Sequence, residues 1–154
     1  MANEIRTKFD AVQNFTMTLA GMATNVSRQS TVINNATKRG AALIYLRIRS
    51  GANAPTAGTV YECYLIRGDG AGGYYTDGAG AADAAIVIVN AQLLGTMVVF
   101  ASANQYFYGD FDTAPLGPLG PTWGIAVKNA TDQSLSNTEA DHLKEYAYYL
   151  PEVQ

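Results

Sequence analysis

The side chains able to do covalent or metal chemistry are few and scattered. His142 is the single histidine and follows Asp141 near the end of the chain. With no second imidazole and no paired cysteine it is expected at the surface rather than on a metal. Composition leaves room for a Ser-His-Asp arrangement, but no Gly-x-Ser-x-Gly elbow presents a serine nucleophile. Cys63 is the single cysteine, so it forms no internal bridge, and its place in an alternating apolar run marks it as packing. Gly68-Asp69-Gly70-Ala71-Gly72-Gly73 lacks the Lys and Ser/Thr that complete a phosphate-binding loop, and reads as a flexible hairpin tip. Asp69, Asp77 and Asp83, or Asp110 and Asp112, offer oxygens to calcium. Their spacing matches no EF-hand, and solvated carboxylates are the expectation. The residues therefore point to no enzyme, no cofactor and no metal.

Chemistry of association is better represented. Seven of the ten basic residues fall in the first 50 positions against two acidic ones, and the remainder carries three basic residues against eleven acidic. The first 50 residues thus hold +5 and the rest -8, within a net charge of -3. Arg6, Lys8, Arg28, Lys38, Arg39, Arg47 and Arg49 form no basic run, and the pI is near 5.0, so an acidic protein surface suits them better than nucleic acid. The ten tyrosines, Tyr74 and Tyr75 in the Gly-rich window among them, fit interface anchors or a sugar-stacking platform. Candidate interface residues are Arg6, Lys8, Arg28, Lys38, Arg39, Tyr74 and Tyr75.

Only 15% of the 154 residues are charged, against about a quarter in an ordinary soluble domain. Such a surface desolvates cheaply and favours burial against partners, so an oligomer is expected over a monomer. The length fits one domain with one core, without metal or disulfide. No apolar run is long enough to span a membrane, and the N-terminal residues do not resemble a secretion leader.

Period-two alternation positions these groups. Ile44, Leu46 and Ile48 share one face of a strand from Leu43 to Arg49, and Tyr45, Arg47 and Arg49 the other. A second strand, Thr59 to Arg67, follows a turn-rich stretch, and the two are expected to pair as an antiparallel hairpin. Other predicted strands are Phe15 to Gly21, Ala85 to Asn90, Thr96 to Ala101, Gln105 to Phe111, Thr122 to Asn129 and Leu143 to Tyr149. Ile86-Val87-Ile88-Val89 lacks alternation and reads as buried on both faces. Leu143 to Tyr149 also fits a helix behind Thr138, but aromatic residues on both faces favour a strand. Pro115, Pro118 and Pro121 stiffen a long connection into the strand of Trp123, whose ring should share a core face with Ile125 and Val127. The fold class is an all-β antiparallel sandwich, with eight strands the number of a jelly roll. Residues 1–40 are expected to form an N-terminal arm and first strand, and 41–154 the sandwich.

Several stretches, taken in order, carry a resemblance. They are Thr16-Met17-Thr18-Leu19-Ala20-Gly21-Met22-Ala23, Arg28-Gln29-Ser30, Val32-Ile33-Asn34-Asn35 and the Leu43 to Arg49 strand. Thr59-Val60-Tyr61-Glu62-Cys63-Tyr64-Leu65, Trp123-Gly124-Ile125-Ala126-Val127-Lys128-Asn129-Ala130-Thr131 and Tyr146-Ala147-Tyr148-Tyr149 follow. Together they resemble small bacteriophage virion proteins, in particular jelly-roll capsid decoration, or cement, proteins. The resemblance implies a homotrimer on the outer surface of the phage head that bridges major capsid subunits and stabilises the shell. It implies the major capsid protein and further copies of the chain as partners, with no nucleic acid and no membrane. Related jelly rolls in tails, baseplates or fibres leave a second expectation, a component that meets host glycans through Tyr74 and Tyr75. A small hydrolase on a β-sandwich is the third.

Overall fold

Alternation along the chain becomes burial. In β5 (Ala41–Arg49) the inward residues Ala42, Ile44, Leu46 and Ile48 are all but inaccessible, while Leu43, Tyr45, Arg47 and Arg49 stay half-buried on the outer face. The computed structural model describes residues 5–37, 39–70, 77–78 and 80–153. Its other strands are β1 (Ile5–Phe9), β2 (Gln13–Asn14), β3 (Ser27–Gln29), β4 (Ile33–Asn34), β6 (Val60–Gly68), β7 (Ala84–Ile86), β8 (Gln92–Val98), β9 (Tyr106–Asp112), β10 (Thr122–Ala130) and β11 (Leu143–Val153). One sheet runs β1-β11-β5-β9, with β2 also on β11; the other runs β7-β3-β10-β6-β8, with β4 also on β10.

All pairings are antiparallel. They nest: β1 with β11, β3 with β10, β5 with β9 and β6 with β8. A long hairpin folded over on itself produces this nesting, and it is how a jelly roll divides its chain between two sheets. Eleven strands are present among the described residues rather than eight. The excess has a local cause. Between β1 and β2 the register on β11 slips by one residue, and between β3 and β4 the register on β10 does the same. Each is one strand interrupted by an inserted residue. At the second interruption the Ser30 hydroxyl takes the Ile125 N–H at 3.2 Å. β7 is a three-residue addition outside β3.

The predicted β5–β6 hairpin does not form. The strands lie in different sheets, because residues 51–59 cross from one layer to the other and each strand pairs instead with the return limb of the nested hairpin. Nor does the segment up to residue 40 stand off as an arm. Phe15, Met17, Leu19 and Met22 enter the core, and Ser27, Gln29, Ser30 and Asn35 are buried. Among the described residues of this segment, β1 is the arm-like part: it pairs with the end of β11, for the most part beyond the reach of β5, and forms a two-stranded ribbon with it. Leu143 to Tyr149 is a strand, as the aromatic residues indicated.

Ile86-Val87-Ile88-Val89 is not buried on both faces. Val87 and Val89 are 78% and 74% exposed, while Ile86 and Ile88 lie over Ile66 and Ala126 on the outer face of the second sheet. A surface loop thus covers a small second core.

Trp123 is fully buried and donates its indole N–H to the Tyr148 hydroxyl of the opposite sheet at 2.9 Å. Phe15 and Tyr146 meet the indole edge-on, at 5.6 and 5.1 Å between centroids. At the far side the layers close onto each other through Gly95 and Gly109. A Cβ at Gly95 would come within 2.6 Å of the Phe111 ring, and one at Gly109 within 2.7 Å of Met97 and of Phe111. Trp123→Ala should cost about 3–5 kcal/mol by removing a fully enclosed ring. Tyr148→Phe should cost about 1–3 kcal/mol by leaving the indole N–H without this acceptor. Chemical denaturation of both variants checks the two values.

Candidate functional site

The 33–40 loop is a ridge between two open clefts at one end of the sandwich. Asn35 builds the ridge: its amide donates to the carbonyls of Arg39 and Gly120 at 2.8 and 2.9 Å, and its Oδ1 accepts the Arg39 N–H at 2.9 Å. Arg39 then forks onto Asp10, Nε to Oδ2 at 3.0 Å and Nη2 to Oδ1 at 3.2 Å. The larger cleft, about 450 Å³, has Asn34, Ala36 and Arg39 on one wall and Pro118, Gly120 and Pro121 on the other. The smaller, about 260 Å³, runs from Asp10 and Gln13 to Tyr146 and Tyr148. Burial pushes the Tyr146 phenol up to about 12, and its hydroxyl donates to Gln13 Oε1 at 2.8 Å. These walls offer amides, prolines and neutral phenols. The Asp10–Arg39 ion pair stands among them, with Arg39 in the larger cleft and Asp10 in the smaller.

The Ser-His-Asp possibility has a clear geometric answer. Ser136, Asp141 and His142 do converge, but the Ser136 hydroxyl donates to Asp141 at 2.5 Å and not to the imidazole. His142 Nδ1 accepts the Arg49 backbone N–H at 3.3 Å, so Nε2 carries the proton toward the Ser136 carbonyl at 3.2 Å. Both ring nitrogens are used on the backbone, and burial holds the imidazole below its ordinary pKa. His142 is not at the surface as its isolation implied; it is 5% exposed and ties β5 to the 136–142 turn.

Carboxylates set aside as possible calcium ligands do similar work. Asp77 accepts the backbone N–H groups of Val89, Asn90 and Ala91. Asp83 takes the Thr18 N–H and hydroxyl at 3.0 and 2.8 Å and the Arg28 guanidinium. Asp112 accepts the Ala114 N–H and the Tyr149 hydroxyl. Among the described residues no cluster of three metal-ligating side chains forms. Three further acids bind the early chain to the late one. Glu139 accepts the Leu19 and Ala20 N–H groups and pairs with Lys144. Asp132 accepts from Thr56, and Asp141 from Arg49.

Three of the sequence-predicted interface residues, Lys8, Arg28 and Arg39, have described side chains. Arg28 and Arg39 are committed internally, to Asp83 and Asp10. Lys8 is exposed on β1 opposite Leu150. Arg6 pairs through its backbone with Glu152, and its side chain lies outside the description. Lys38, Tyr74 and Tyr75 lie outside the described residues. Exposed large apolar residues include Phe9, beside Lys8 on β1, with Val12 after it, Val87 and Val89 in the loop beyond β7, and Leu93, Val98, Phe100 and Tyr108 along the β8 and β9 edges. The roles of Asp83, Asp132, Glu139 and Asp141 escaped sequence reading because their early-chain partners lie 55 to 120 positions away. No protein-family model matches the chain, and no curated protein matches it.

The acids make stability depend on pH in one direction. Partial burial would raise Asp83, but Arg28 and Thr18 outweigh it and hold its pKa below the ordinary value. Glu139 is likewise lowered, burial being outweighed by Lys144 and the Ala20 and Leu19 amides. With folded values below unfolded ones, this stabilisation is complete above about pH 5 and is lost as pH falls through the lowered values. Asp83→Asn should lower the melting temperature by roughly 3 °C near neutrality, with the gap to the native chain closing below about pH 3. Thermal unfolding across that range measures both.

Proposed function

We propose that this chain is a structural protein of a bacteriophage virion, a decoration or cement protein that sits on the outer surface of the head and bridges major capsid subunits. Three observations support the reading. The ordered stretches from Thr16 to Tyr149 resemble such proteins, and the two sheets nest their strands in the jelly-roll manner that the resemblance implies. The weakly charged surface carries the observation that matters most: much of the charge is consumed inside the fold, while Phe9 at 52%, Val12 at 56%, Phe100 at 53% and Tyr108 at 70% exposure stand outward. Apolar groups left outside a charge-poor domain are interface material.

This changes which residues should grip the shell. Arg28 and Arg39, neutralised by their own chain, are poor bait for an acidic partner. The terminal ribbon is better suited, with Lys8 exposed, Phe9 tilted against Tyr149 at 5.8 Å between ring centroids, and Val12 just beyond. Adhesion through such groups is weakened only mildly by salt, since screening acts on exposed charge. Self-association belongs to the same proposal.

Mass spectrometry of purified heads and of separated tails from the phage that encodes the chain tests the assignment. Presence on tail-less heads is expected. Presence on tails alone favours a tail, baseplate or fibre component with host-glycan contact through Tyr74 or Tyr75, and absence from the virion overturns the proposal. For heads stripped of the protein, Phe9→Ser with Val12→Ser should weaken rebinding about tenfold or more, ~1.4 kcal/mol, with little change in melting temperature. Undiminished rebinding would move the contact off the ribbon.

A further inference from the structure

The outer strands of the two sheets differ in how they meet solvent. β7 has three residues, and β8 carries an irregularity opposite Cys63 and Tyr64 with its Gln92 end bonded by Arg67. β1 is a five-residue strand, broken from β2 and bearing Lys8. Short length, bulges and lysines are the usual means of preventing edge-to-edge pairing. β9 has none of them. Its seven residues, Tyr-Phe-Tyr-Gly-Asp-Phe-Asp, run unbroken beside β5, without lysine, proline or a register shift.

The open side of β9 can be assigned by counting. Ser50 donates to the Gln105 carbonyl and Thr113 to the Ala42 carbonyl. Hydrogen-bonded pairs in an antiparallel ladder recur every second residue, so Phe107, Gly109 and Phe111 turn their backbone groups toward β5. Tyr106, Tyr108, Asp110 and Asp112 therefore point theirs away, and among the described residues these take no backbone partner.

Charge identifies what fits this edge. At the Tyr106 end, Arg47 and Arg49 of β5 lie over the Tyr106 ring at 5.0 and 5.4 Å from its centroid. At the other end stand Asp110 and Asp112, both exposed. Arg49 is committed to Asp141, which also accepts from Tyr106, so Arg47 leaves the start of the edge net basic while its finish is acidic, and the edge is complementary to itself when reversed. We propose that the free edge of β9 pairs antiparallel with the same edge of a second copy of this chain, around a two-fold axis at Gly109.

In that register Tyr108 faces Asp110 and Tyr106 faces Asp112 of the other copy, each pair exchanging two backbone hydrogen bonds. Sliding by one step to centre on Asp110 would set two carboxylates against each other, and like charges directly opposite are unfavourable. Phe100, half-exposed and 5.1 Å from Phe107 between ring centroids, would gain cover at the same edge. A contact of this kind makes a dimer whose first sheet is continuous across two chains. It is not the trimer surface the resemblance implies, and it stands whether or not the chain is a virion protein.

Sedimentation velocity of the native chain at micromolar concentration should show a dimer, and Tyr108→Pro a monomer with an unchanged circular dichroism spectrum. The proline removes an N–H that β5 does not use, so the fold should tolerate it. Cysteine pairing reads the register separately: Tyr108→Cys mixed with Asp110→Cys should cross-link under oxidation, while either alone should not, since facing Cα atoms lie about 5.5 Å apart and suit a disulfide. Native Cys63 is fully buried and does not compete. A monomeric native chain, a Tyr108→Pro variant that keeps the dimer mass, or equal cross-linking of the single and mixed samples would each overturn the proposal.

Discussion

The hydrogen bond from Trp123 to Tyr148 joins the two sheets through the middle of the core. A buried indole N–H needs an acceptor, and the Tyr148 hydroxyl supplies one from the opposite sheet. Around the bond, Phe15 and Tyr146 pack at steep angles to the indole and to each other's neighbours. Phe15 belongs to the early segment, Trp123 to β10 and Tyr148 to β11, so one cluster requires three distant parts of the chain to be in place together. The first third of the protein is consequently a wall of the sandwich, and only the ribbon of β1 with the end of β11 extends past it.

Electrostatics follows from this placement. Once residues 15–35 lie along the sheets, their unsatisfied amides and guanidinium groups need partners, and the acids of the later chain supply them: Asp83 for Thr18 and Arg28, Glu139 for Leu19 and Ala20. Both carboxylates bind several donors at once, which outweighs their partial desolvation and keeps them charged. The opposition between a basic beginning and an acidic remainder is therefore resolved in part within one molecule. Large apolar and aromatic side chains remain outside on the ribbon, on the loop of Val87 and Val89 and on the β8 and β9 edges.

Local patterns carried much of this and misled in particular places. Ile44, Leu46 and Ile48 alternate with polar neighbours, and a strand buried on one face displays its geometry directly in such a run. Trp123, Ile125 and Val127 share one fully buried face, although β10 is covered on its other face as well, at Ala126. Ile86 to Val89 shows the limit: four apolar residues in succession have no period, and whether both faces are covered depends on a sheet far away in sequence. His142 is a second case. Its isolation said nothing of depth, because the backbone groups that hold it come from Arg49 and Ser136.

Residue order alone determined that the chain is built of strands, where most of them lie, which faces are apolar, and that charge is scarce and unevenly divided. These are properties of neighbours a few positions apart, fixed by the two-residue period of the strand and by composition. Tertiary structure alone decided that β5 and β6 enter different sheets, that Arg28 and Arg39 are spent on their own chain, and that β9 is left with an open edge. Those outcomes depend on pairings between residues tens of positions apart, which the nested hairpin selects as a whole and no single window of sequence contains.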